Sequence, residues 1–182
     1  MLLLEIPETE LYDEEKNEFV TLSKQTLKLE HSLIAISKWE SKYCKPFLSK
    51  DQKTVEESLY YVQCMTINPN VDPRVYRCIT NEMMNRINEY IEAPMTATTI
   101  SYNTSSNNRR QETLTSELLY YYMIAGNVPV EFERWHLNRL IKLIEIIGIK
   151  NDPKAKKMSK GSILRNNAAL NAARRKAHHS RG

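Results

Sequence analysis

The sequence predicts a mainly α, α+β protein: a compact helical domain with a small N-terminal antiparallel β element and a basic C-terminal helical tail. Three observations point there. Apolar residues recur at spacings of three and four over most of the chain, which is the period of an amphipathic helix. Short runs with strand character are confined to residues 1–30, where Leu27 and Leu29 alternate with Lys28 and Glu30. Hydrophobic content of 41% with only four glycines in 182 residues suits helices and disfavours a barrel or a loop-rich scaffold. The domain is expected over 1–150 and the tail over 151–182.

Taken in order, LLLEI, EFVTL and TLKLEH read as strands, and ETELYDEEKNE between the first two reads as an acidic polar connection. His31 or Ser32 begins a helix through Leu33, Ile36, Trp39 and Tyr43, stopped by Pro46, with Trp39 on the inner face. Thr54 with Glu57 has the form of a capping box and starts a helix through Val62 and Met65. Asp72-Pro73 is a cap followed by proline at a first helical position. Thr80 then leads an amphipathic helix closed by Pro94. Residues 93–102 are extended in this reading, and 103–111, with no large apolar side chain, form a mobile loop.

The stretch 115–149 is expected to be the central helical hairpin. Ser116 to Ala125 is apolar nearly all round, so it should need covering by other elements. Gly126-Asn127 supplies the stop, and a second, amphipathic helix runs from Pro129 to Gly148. Leu118, Tyr121, Trp135, Leu140, Ile144 and Ile147 are the expected core of this pair. A last helix is expected from Ser159 to about Lys176, fraying after His178.

The net charge of +4 hides an asymmetry. Residues 150–182 carry ten Lys/Arg against one acid, whereas residues 1–149 carry sixteen Lys/Arg against twenty-one acids. Lys154, Lys156, Lys157, Lys160, Arg165, Arg174, Arg175 and Lys176 make a basic arm that could neutralise phosphates. The arm has no aromatic residue for base stacking, so nucleic acid is the less favoured partner and an acidic protein surface the better one.

Signals for catalysis are missing from the sequence. Cys44, Cys64 and Cys78 have neither zinc-knuckle spacing nor an even count. His136 begins HLNRL rather than HExxH, and Gly126, Gly148 and Gly161 are too far apart for a phosphate loop. His136 reads as a structural or interface residue, and His178-His179 as tail. The expectation is a protein without enzymatic activity, metal or cofactor. No run reaches the roughly 20 apolar residues of a membrane span, and Met1 to Leu4 is followed too soon by acids to be a signal peptide. The cytoplasm is the expected compartment. Tyr120, Tyr122, Phe132, Trp135 and His136 form a candidate partner surface, with core packing the stronger reading for the aromatic residues and homo-oligomerisation an outlet for an exposed helical face.

The strings KWESKYCKPFLSKDQKT, YVQCMTINPNVDPRVY, YIEAPMTATTIS, WHLNRLIKLIEIIGIKN and KKMSKGSILRNNAALNAARRK together resemble proteins of tailed phages and prophages, often those of gut bacteria, that look like tail assembly chaperones. The similarity runs from about Leu29 to Lys176. It implies a protein made in the host cytoplasm that binds the phage tape measure protein while the tail tube polymerises, and that is absent from the finished virion. It transfers no site residue. Two other readings remain: a structural virion protein of the tail or connector, and a phage DNA-binding accessory protein that uses the basic arm.

Overall fold

The computed structural model describes residues 1–13, 17–100, 113–151, 164–165 and 168–169. It is mainly helical, with antiparallel β structure near the N-terminus. The expected loop at 103–111 and most of the expected C-terminal helix lie outside the described residues.

The N-terminal strands are β1 (Leu2–Ile6), β2 (Thr9–Asp13), β3 (Glu18–Leu22) and β4 (Gln25–Leu29). β1 pairs with β4 and β2 with β3, both antiparallel, from Leu2↔Leu29 through Ile6↔Gln25 and on from Thr9↔Leu22 to Asp13↔Glu18. The register is unbroken across the two ladders, so they form one long ribbon interrupted at Pro7, which has no N–H to donate. The acidic segment expected as a mere connection therefore contains a strand. Its outer face is anchored by Tyr12, whose ring meets Phe19 edge-on at 5.2 Å and whose hydroxyl donates to Asn17 Oδ1. Leu4, Ile6, Leu27 and Leu29 on the inner face of β1 and β4 are buried.

The helices follow local capping chemistry closely. α1 (Leu33–Tyr43) starts at Ser32, whose Oγ accepts from the Ala35 N–H, and ends at Cys44 in the left-handed region (φ 52°). α2 (Val55–Met65) has the expected capping box, with Thr54 and Glu57 exchanging bonds of 2.8 and 3.1 Å. A 3-10 turn over Pro73–Cys78 is capped by Asp72, and α3 (Asn81–Glu92) by Thr80. Residues 93–100 have no regular structure. α4 (Ser116–Ala125) is capped by Thr115 and stops at Gly126, with Asn127 left-handed at φ 51°.

The core does not sit where the sequence puts it. It lies between the β1–β4 ribbon, α1 and α2: Leu33, Ile36, Trp39, Val62, Met65 and Val75 are all buried. Trp39 donates through Nε1 to the Glu57 carbonyl at 2.9 Å and packs on Tyr43 and Phe47, and Phe47 packs on Tyr61. The segment after α2 closes the outer edge of β4: the Ile67 N–H donates to the Lys28 carbonyl, and the Asn68 side chain bonds Lys28 N–H and the Thr26 carbonyl. This satisfies an edge that would otherwise invite pairing with another chain.

The 115–149 pair is peripheral rather than central. Of α4, Ser116, Leu119 and Met123 are buried, while Tyr121 is 62% exposed and Ile124 77%. Leu118, Trp135, Ile144 and Ile147 are half-buried, and of the expected core of this pair Leu140 alone is fully buried. The expected helix from Pro129 to Gly148 is two elements: a 3-10 turn over Val130–Arg134, then α5 (Leu137–Asn151). The break has a cause outside the segment. Trp135 turns extended (ψ 158°) so that His136 bridges to Ser32 and the Leu137 N–H reaches the His31 carbonyl at 2.7 Å.

Two substitutions separate this core from the expected one. Leu140→Ala should lower the unfolding free energy by about 2–5 kcal/mol, because it empties a fully buried site. Tyr121→Ala should change it by no more than about 0.5 kcal/mol. Urea denaturation of both variants beside the parent checks the pair, and a large cost for Tyr121→Ala would return α4 to the interior.

Candidate interaction surface

α4 is held against the body by a buried carboxylate. Glu40, on the inner side of α1, accepts the Ser116 N–H through Oε2 at 2.8 Å and the Phe47 N–H through Oε1 at 2.7 Å. Ser116 is the first residue of α4, so the negative charge lies where helix N–H groups lack partners and the helix dipole is positive. At the other end Gly126 allows α5 to come close. A Cβ there would lie 3.1 Å from the Tyr122 carbonyl oxygen and 3.3 Å from Ile147 Cγ2. With both ends fixed and Leu119 and Met123 turned inward, Glu117, Tyr121 and Ile124 fall on the outer face. Val130, in the 3-10 turn that follows, is also exposed. Tyr121 and Tyr122 meet edge-on at 5.5 Å, which leaves both rings in reach of solvent.

The five residues expected as a partner surface divide. Tyr122 is exposed and belongs to this face. Tyr120 is half-buried, and its hydroxyl donates to Glu133 at 2.9 Å; burial, then that bond, pushes its pKa up to about 12. Phe132 stacks on Trp135 with centroids 4.0 Å apart and planes 16° apart, and the Arg139 guanidinium lies 4.0 Å over the same indole. Two such stacks need opposite faces, so the Trp135 ring is already covered by its own chain. His136 is not on the surface: it is buried between α1 and α3. Tyr121, Ile124 and Val130 are the most open part of the face, although the apolar run Leu118 to Ile124 reads as an interior helix. The spacing of Glu117 and Tyr121, one helical turn apart, is the signal that marks an outward row.

Among the eight residues of the expected basic arm, Arg165 is described and is exposed; the other seven lie outside the described residues.

His136 has a structural role that follows from its bonds. Its Nε2 donates to the Tyr90 carbonyl at 3.0 Å, and its Nδ1 accepts the Asn138 N–H at 3.3 Å. Asn138 Nδ2 then donates to the Ile91 and Ala93 carbonyls, each at 2.9 Å. The start of α5 thus satisfies the orphan carbonyls at the end of α3. The His136 ring stands 5.0 Å from that of His31, whose Nδ1 shares a 2.5 Å hydrogen bond with the Tyr61 hydroxyl. Beside them the Tyr90 hydroxyl donates to Glu30 Oε1 at 2.5 Å. Burial, reinforced by the His136 neighbour, lowers the His31 pKa from 6.5 to about 3, and burial also lowers that of His136.

Two open concavities lack the exposed apolar row of α4 in their lining. One, of about 320 Å³, is lined by Lys42, Tyr60, Arg74, Tyr76 and Arg77 among others. Another, of about 290 Å³, is bordered by Glu30, Met95, Arg134, Trp135, His136 and Arg139. Among the described residues there is no group of three His, Cys, Asp or Glu placed to hold a metal ion, and no helix long and apolar enough to cross a membrane. No family model, curated protein or solved structure matches the chain. The α4 face is therefore read from its own chemistry: an exposed apolar row suited to contact with another macromolecule.

The buried histidine sets a pH dependence. A His whose folded pKa is depressed favours the folded state fully only above its unfolded pKa. That contribution is lost as pH falls from 6.5 towards 3, because the unfolded chain binds the proton first. At pH 5 the loss due to His31 should be about 2 kcal/mol. The drop in urea-derived stability between pH 7.5 and pH 5 should shrink by about that amount in His31→Gln. An unchanged drop would mean that His31 takes up its proton without opening the core.

Proposed function

We propose that this is a binding protein that holds an apolar protein partner on the outer face of α4, and that it acts as a tail assembly chaperone for a phage tape measure protein in the host cytoplasm. The observation that carries the binding reading is the exposed row Tyr121, Tyr122, Ile124 and Val130. Each such side chain removed from water on binding contributes roughly 1.5–3 kcal/mol before the costs of association. The step from binding protein to tail assembly chaperone rests on the sequence strings from about Leu29 to Lys176. A structural virion protein and a DNA-binding accessory protein are the competing readings, and the excess of Lys and Arg after residue 150 is the feature that the second would use.

Co-expression with the tape measure protein of the same phage tests the reading. The partner should be more soluble with this protein than alone, the two should co-purify, and the complex should persist at high salt, as contacts driven by removal of apolar surface from water do. Ile124→Glu should weaken the complex more than charge reversal at Lys154 and Lys156. Failure to bind, with a steeply salt-dependent shift of duplex DNA instead, would put the nucleic-acid reading in its place. Recovery of the protein in purified virions would favour the structural reading.

A further inference from the structure

We propose that the basic segment 152–182 of one copy docks on the outer face of α4 in a second copy, so that the protein associates head to tail with itself. This goes beyond the partner-binding reading and does not depend on it. Four observations converge. The α4 face is open, with Tyr121 62%, Ile124 77% and Val130 61% exposed. Glu117 and Glu131 are exposed beside the apolar row, and between Thr113 and Glu133 there is no Lys or Arg, the next being Arg134 at the end of the 3-10 turn. Glu117 stands one turn before Tyr121 on the same side of the helix, and Glu131 is adjacent to Val130, so acids flank the apolar row at both ends. Segment 152–182 has the opposite chemistry, with nine Lys/Arg, a single acid in Asp152, and the apolar residues Met158, Ile163, Leu164 and Leu170 interspersed.

The remaining observation selects a second copy over the same one. Within a single chain Leu164 is 69% exposed while the α4 face is also exposed, so neither covers the other. The thirty-one residues beyond Asn151 can in principle span up to roughly 100 Å when extended, ample to reach a neighbour. Such a contact joins two different surfaces, so it is heterologous and leaves one free tail and one free face at the ends of any open assembly. Attraction between the acids and the basic segment supplies steering that salt screens, and the apolar residues supply the part that salt spares.

Sedimentation of the intact protein alone, without any partner, tests the proposal. The parent should self-associate with rising concentration, more strongly at low salt than at high. A tail variant (Lys154→Glu, Lys156→Glu, Lys157→Glu, Lys160→Glu) and a face variant (Tyr121→Ser, Ile124→Glu) should each be monomeric, with far-ultraviolet circular dichroism like that of the parent. Mixed in equal amounts they should form a pair that grows no further, because the intact face of the first meets the intact tail of the second. Should the apolar change disturb folding, Glu117→Lys with Glu131→Lys serves as the face variant. A parent that stays monomeric at low salt, a tail or face variant that self-associates as the parent does, or a mixture that forms no pair would each overturn the proposal. Tape measure binding is not measured here, so its failure and the failure of self-association remain separate results.

Discussion

The fold depends on a polar junction buried where five elements meet. The chain between β4 and α1 carries Glu30, His31 and Ser32; α2 contributes Tyr61, α3 contributes Tyr90, and α5 begins at His136 and Leu137. Each polar group there has a partner: Glu30 with Tyr90, His31 with Tyr61, His136 with the Tyr90 carbonyl, and the His31 carbonyl with the Leu137 N–H. A half-satisfied network of this kind would be worse than an apolar core, since each orphaned buried group costs about 1–3 kcal/mol. The junction therefore admits one arrangement of the helices around it. Burial lowers the pKa of both histidines, and the neighbouring His136 ring lowers that of His31 further.

That junction explains what the sequence revealed and what it hid. Caps such as Ser32, Thr54, Asp72 and Thr80 were legible because they are local: each accepts from an N–H two or three residues on, and the residue types alone imply the geometry. The inward position of Trp39 was legible from helical periodicity. The interruption at Trp135 and His136 was not, because it serves a carbonyl at the start of α1, far away in sequence. β2 was hidden for a different reason. Acidic composition argued for a connection, yet strand pairing there needs only a register already set by β1 and β4 and a turn that places Tyr12 opposite Phe19.

The candidate surface was half legible. Aromatic residues after Thr115 mark the region that carries the exposed apolar row, whereas a helix that is apolar nearly all round reads as one needing cover on all sides. Apolar composition measures the free energy available from burial, not whether this chain supplies the cover. A helix of ten residues is anchored here by Glu40 at its first N–H, by Leu119 and Met123 beneath, and by Ile147 against Gly126. Those contacts suffice to fix α4, and they leave its remaining apolar side chains outside. Trp135 and His136 lie outside this face: the indole is covered by Phe132 and Arg139, and the imidazole serves the end of α3.

An apolar face that the fold does not need is free to serve association, and the same geometry limits what it can do. Glu40 ties α4 to α1 through backbone N–H groups, so a partner on the outer face meets a helix whose position is already fixed. Binding there then carries little cost of ordering the helix backbone, whereas a segment that must order on docking bears that cost itself. α4, held at both ends, stands on the side of this balance that needs no further ordering. Any occupant that arrives already helical should therefore have the advantage, for the same face, over one that must order on docking.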